Sequence, residues 1–151
     1  MQGKLRSVEG SRPSTAAVGR LRRGVKALVT TGEAVLLVKE AHDDGSTFWT
    51  LPGGGLEGAE SPVEGLRREL REELGCEVVV DGPADRVWYA HHSRERTLSS
   101  YEVYDCGVAS SVEPNPAEGT LAARWVDADD LPPRTLPQVR TLVERHPEVR
   151  T

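Results

Sequence analysis

Glu69, Glu72 and Glu73 stand at positions i, i+3 and i+4 within Arg67-Arg68-Glu69-Leu70-Arg71-Glu72-Glu73-Leu74-Gly75. A helix turns ~100° per residue, so these three carboxylates share an arc of about 100°. Like charges at such spacings cost a helix about 0.2–0.5 kcal/mol per pair. A divalent cation would reverse the sign of that interaction, and hard oxygen donors suit Mg²⁺ or Mn²⁺. The alternative is a solvated, ion-laced face. Glu64–Arg68 and Arg68–Glu72 are i, i+4 pairs that would neutralise part of it.

The helix that must carry these groups has clear ends. Ser61 and Pro62 supply N-cap and N1, Glu64 completes a capping box, and Gly75 suits a left-handed C′ position. Between them Val63, Leu66, Leu70 and Leu74 form one apolar stripe, separate from the glutamates. Upstream, Thr47 to Leu51 reads as a short strand that runs into Pro52 and the glycines Gly53, Gly54 and Gly55.

Gly54, five residues, Glu60, seven residues, then Arg68-Glu69-Leu70-Arg71-Glu72-Glu73-Leu74-Gly75 resembles the Nudix box, the signature of the Nudix hydrolases. Seven fixed positions at roughly 6% background each arise by chance about once in 10⁸–10⁹ start sites. Looser landmarks follow in the usual order: Leu36-Leu37-Val38-Lys39, Phe48-Trp49-Thr50-Leu51-Pro52-Gly53-Gly54 and Arg124-Trp125-Val126. Three positions depart from the pattern. Ala59 stands where a glycine is common, with Gly58 one earlier; Gly65 replaces a small helix former; and Cys76 takes the final aliphatic position. A left-handed Ala59 would be strained, and close packing against the sheet would account for Gly65.

The resemblance implies an α+β Nudix fold, a mixed β-sheet sandwiched between α-helices. It implies a Mg²⁺-dependent hydrolase in which water attacks phosphorus in the diphosphate linkage of a nucleoside diphosphate joined to another moiety, with Mn²⁺ as an alternative ion. Glu69, Glu72, Glu73 and the carbonyl of Gly54 would bind the metal, with Glu69 closest to the chemistry and Arg68 orienting it. Glu60 would brace the loop by bonding backbone amides. Glu118 would add a metal-binding or basic carboxylate, and Lys39 a phosphate contact. Trp49 could stack a base, as could Trp88 and Tyr89, although each type is more often core. His91, Arg94 and Arg96 could face phosphate. The alternative within the fold is a nucleotide-binding sensor without turnover; such domains usually lose box carboxylates, and this chain keeps them.

A length of 151 residues suits one domain, here residues 20–151, behind a flexible arm over 1–19. With 37% hydrophobic and 28% charged residues the chain reads as soluble, and a net charge of −5 gives no general attraction to nucleic acid or anionic membrane. The cations of the arm lack interleaved aromatics, so no stable nucleic-acid partner is expected. Cys76 and Cys106 read as buried reduced thiols, and without a signal peptide or membrane span the expected location is cytoplasmic. A homodimer is left open. Further strands are expected over Val25–Thr31, Ala34–Glu40, Glu77–Val80, Arg86–His91, Leu98–Ala109 and Ala123–Val126. A last amphipathic helix should run from Leu136 to about His146. Trp125 reads as core.

Overall fold

The computed structural model describes the backbone of residues 5–7, 20–91 and 97–146, and the side chains of 20–90 and 97–146. In chain order the strands are β1 (Leu5–Ser7), β2 (Arg20–Thr31), β3 (Ala34–Ala41), β4 (Thr47–Thr50) and β5 (Gly53–Gly55). Helix α1 (Pro62–Leu74) follows, then β6 (Val78–His91), β7 (Thr97–Val108), β8 (Ala122–Asp127) and helix α2 (Pro137–Arg145).

β2 organises the sheet. It turns into β3 at Gly32, whose φ of 58° is the left-handed value such a turn asks of glycine. It pairs in parallel with β7 from Arg20↔Thr97 to Val29↔Cys106, and antiparallel with β5 through Gly24↔Gly55, Val25↔Gly54 and Lys26↔Gly53. β6 adds antiparallel to β7, and β1 to β6. β3 carries β4 on one edge and β8 on the other.

Side chains alternate across strands, and that alternation divides the interior in two. Val25, Ala27, Val29, Leu36 and Val38 pack with Leu66, Leu70 and Leu74 of α1. Leu28, Val35 and Leu37 join Val139, Leu142 and Val143 of α2. The result is the expected mixed sheet between helices. Cys76 and Cys106 are both buried and unpaired to each other. Among the described residues no helix is long and apolar enough to cross a membrane.

Three elements differ from expectation. The two strands anticipated on either side of Asp81-Gly82-Pro83 are one, because register shifts at Val80/Gly82 and Pro83/Asp85 absorb the proline and glycine as bulges. Trp125 is 40% exposed rather than core: β8 pairs only with β3 among the described residues, so its ring sits at the sheet margin. Within residues 1–19, Leu5–Ser7 pairs with Tyr89–His91, and the remainder of that stretch lies outside the described residues.

Candidate active site

The ends of α1 form as their local chemistry dictates. Ser61 Oγ accepts from Glu64 N–H, the Glu64 carboxylate accepts from Ser61 N–H, and Gly75 turns left-handed at φ 59°. With Leu66, Leu70 and Leu74 wholly buried, the helix is seated on the sheet and its next face turns to the glycines of β5. Glu73 Oε1 accepts from Gly53 N–H at 3.0 Å. The Glu69 carboxylate rests on the bare Cα of Gly54, where a Cβ would lie 2.7 Å from both of its oxygens. Burial pushes the Glu69 carboxyl above its ordinary range, although Arg68 opposes the shift. Burial raises the Glu73 carboxyl to about 8, against the opposing effects of Lys26 and the Gly53 amide.

Arg68 ties the helix to the loop before it. Its Nε and Nη2 form a fork on Glu60 at 3.1 and 2.7 Å, and Nη2 also donates to the Gly55 carbonyl at 3.0 Å. Nη1 donates to Glu69 Oε2 at 3.2 Å and to Glu72 Oε1 at 3.1 Å, so one nitrogen spans two of the three box carboxylates. Glu60 Oε1 also accepts from Glu57 N–H at 2.8 Å, so Glu60 does brace the loop. Its bond to Arg68 holds the Glu60 carboxyl below its ordinary value. The left-handed residue of the turn is Gly58, at φ 52°, which explains how Ala59 can follow it. Gly65 is small because of this loop, not the sheet: a Cβ there would lie 2.5 Å from Leu56 Cδ2 and 2.9 Å from Glu60 Oε1.

Beside β5 opens a cleft of about 350 Å³, lined by Arg22, Lys26, Glu40, Gly53 to Gly55, Glu73, Tyr101 and Glu118 among others. Lys26 is 5% exposed; its Nζ donates to the Leu51 carbonyl at 3.2 Å and lies 5.0 Å from the Tyr101 ring centre. Burial disfavours its charge, but Glu40, the two tyrosines Tyr101 and Tyr89, and Glu73 outweigh that and hold its pKa above the ordinary value. The segment bearing Glu118 is hung on the end of α1. Glu113 N–H donates to Leu74 O, Asn115 N–H to Glu73 O, and Asn115 Nδ2 to Glu72 O, which satisfies carbonyls a helix end otherwise leaves open.

A buried Glu73 and a half-buried Glu69 thus lie against a strand of glycines, and an arginine fork locks the loop between strand and helix. The family model described as "NUDIX domain" matches residues 20–146. The chain belongs to the Nudix family. An RNA pyrophosphohydrolase from Bartonella clarridgeiae is 29% identical over 138 residues, covering 80% of each chain. The nucleoside triphosphatase NudI of Escherichia coli O139:H28 is 34% identical over 122 residues, covering 74% of this chain and 86% of that one. In fold the chain is similar to a MutT NUDIX hydrolase from Burkholderia pseudomallei, with a TM-score of 0.72 at 23% identity over 82% of this chain and 96% of the other.

Within this Nudix domain the expected residues fall into three groups. Gly54, Glu73 and Glu118 line the cleft, with Glu69 against Gly54 and Glu72 joined to it through Arg68. Lys39 and Trp49 do not line it: they are paired across β3 and β4, Trp49 belongs to the α2-side core, and its ring lies 5.7 Å from Lys39 Nζ and 5.2 Å from Arg124 Cζ. The side chain of His91, and Arg94 and Arg96 entirely, lie outside the described residues. Arg22, Lys26, Glu40 and Tyr101 were not anticipated. The signal for two of them was present, since Arg22, Gly24 and Lys26 alternate on one face of a strand.

Proposed function

We propose that this Nudix chain is a Mg²⁺-dependent pyrophosphohydrolase that directs water to phosphorus in the diphosphate linkage of a nucleoside diphosphate derivative. One observation carries the reading: the Glu69 and Glu73 carboxylates are desolvated against a strand without side chains, beside an open cleft. A diphosphate is anionic and repels a nucleophile, so such a site needs positive charge at the phosphoryl oxygens and a base near the water. The names of the two relatives, a pyrophosphohydrolase and a nucleoside triphosphatase, support the reaction class.

The residues present fit a magnesium ion. All the donors are hard oxygens, and the burial that raises both carboxyl groups is the penalty that a neighbouring cation relieves. Among the described residues no three acidic, histidine or cysteine side chains converge on one point. Mg²⁺ tolerates this, since it is commonly held by one or two carboxylates with waters and substrate phosphate completing the shell. Glu69 and Glu73 would hold it, with Glu72 tied to the same group through Arg68. Bound there, the ion would spread the charge that develops on the phosphoryl oxygens and acidify water.

The chain's own residues do the rest. Gly53 N–H fixes one oxygen of Glu73, and Arg68 fixes one oxygen of Glu69, so each carboxylate presents its other oxygen in a set direction. Glu118 lines the cleft as the candidate base or further ligand, on a segment that the end of α1 holds in place. Mn²⁺ meets the same donor chemistry. The test is turnover of a nucleotide panel with Mg²⁺, followed by ³¹P NMR. The wild type should release phosphate-bearing products, and Glu69→Gln should lower kcat by about 10²–10⁴-fold with an unchanged circular dichroism spectrum. Tight nucleotide binding by the wild type with no turnover would overturn the enzyme and leave a nucleotide sensor.

A further inference from the structure

β5 is three glycines, and its successive residues face opposite sides. Gly54 turns its bare Cα to the Glu69 carboxylate. Gly55 turns its own to Arg22, whose Nη2 lies 2.7 Å from the place a Cβ would occupy. One backbone thickness therefore separates the acidic face from a guanidinium.

The cations lining the cleft differ in how far they are committed. Lys26 is buried, bonded to the Leu51 carbonyl, stacked near Tyr101 and embedded between Glu40 and Glu73. Arg22 is exposed at the cleft, and among the described residues its guanidinium has no hydrogen bond or ion pair. The other charged groups lining the cleft are Glu40, Glu73 and Glu118. An anion that enters must therefore be met by Arg22, by Lys26 or by a metal. A guanidinium is suited to that task because its planar fork matches two phosphate oxygens and it never loses its proton.

From this juxtaposition we infer that Arg22, seated on Gly55, binds the phosphate next to the one attacked, and so contributes more to the binding of a nucleoside triphosphate than to that of the monophosphate. This rests on the pyrophosphohydrolase reading for what "attacked" means, but binding itself can be tested without turnover. Gly55 is part of the device: the absence of a side chain lets the guanidinium lie close to the strand. Gly55 does not have a left-handed φ, so Gly55→Ala forces Arg22 to move without straining the backbone and without changing charge.

The experiment is calorimetric titration of the metal-free protein, in EDTA, with a nucleoside triphosphate and with the monophosphate of the same nucleoside. It is run on the wild type, Arg22→Gln, Gly55→Ala and the double variant, with folding checked by circular dichroism. Arg22→Gln should weaken the triphosphate about 10–100-fold, the range of a charge-assisted pair, and weaken it at least tenfold more than the monophosphate. Gly55→Ala should shift the same ligand in the same direction and add nothing once Arg22 is gone. Arg22→Lys should recover part of the loss. The inference is overturned if the wild type does not bind the triphosphate, if both ligands weaken equally, or if the two substitutions act additively. A wild type that binds as expected but turns over no substrate would sink the enzyme reading and leave this one standing.

Discussion

Replacing Glu73 by glutamine should make the metal-free protein more stable at alkaline pH. Glu73 is 7% exposed and its carboxyl is held at about 8, against an ordinary value of 4.5. An unfolded chain releases that proton near 4.5, whereas the native chain keeps it until about 8. Between those limits the native state binds more protons, so stability falls as pH rises, by ~1.4 kcal/mol per pH unit for one full proton. Across the window that amounts to about 5 kcal/mol, an upper bound because Lys26 shares the same buried environment. Glutamine keeps an oxygen for Gly53 N–H and never ionises. The measurement is urea denaturation in EDTA, followed by tryptophan fluorescence, from pH 4 to 9. The variant and wild type should match near pH 4, and the variant should gain progressively to a plateau above pH 8. Adding Mg²⁺ should raise the stability of the wild type and not that of the variant. A difference that is flat with pH, or a variant less stable at pH 8, would refute the account of a carboxylate kept in place at the expense of stability.

Two further outcomes follow from other contacts. Arg68→Lys keeps the charge but loses the fork that joins Glu60, the Gly55 carbonyl and Glu69, so kcat/KM should fall about 10–100-fold; steady-state kinetics with full activity would remove Arg68 from the positioning role. Gln138 is wholly buried, and neither of its amide atoms finds a partner among the described residues; Gln138→Met should stabilise the fold by about 1–3 kcal/mol in chemical denaturation, and a destabilised variant would show that the amide is satisfied.

What the sequence made legible was what depends on near neighbours. The limits of α1 follow from Ser61, Glu64 and Gly75, each acting within four residues of its partner, and the structure places them as read. The spacing from Gly54 to Glu73 likewise marked the carboxylates that meet the glycine strand. What stayed hidden depends on distant partners. Lys26 sits inside an apolar run, and nothing local says that it will be buried beside Glu40 and Glu73 or against Tyr101. Asp81-Gly82-Pro83 reads as a strand end by propensity, but pairing with β7 carries the strand through it. Lys39 and Glu40 are neighbours, and a one-residue difference in parity places Glu40 at the cleft and Lys39 on the face of Trp49.

Asn115 does more than finish a helix. Its backbone N–H and side-chain amide hold the last carbonyls of α1, while its side-chain oxygen accepts from Ala117 N–H and its carbonyl accepts from Glu118 N–H. A single residue is thus the root of the segment on one side and the start of its tip on the other. Changes between Pro116 and Gly119 can alter the reach and chemistry of the tip while α1 keeps its anchor. Changes between Ser110 and Asn115 would instead be transmitted to the carbonyls beneath Glu72 and Glu73. The domain therefore has a natural graft point, at which the tip can change without disturbing the end of α1.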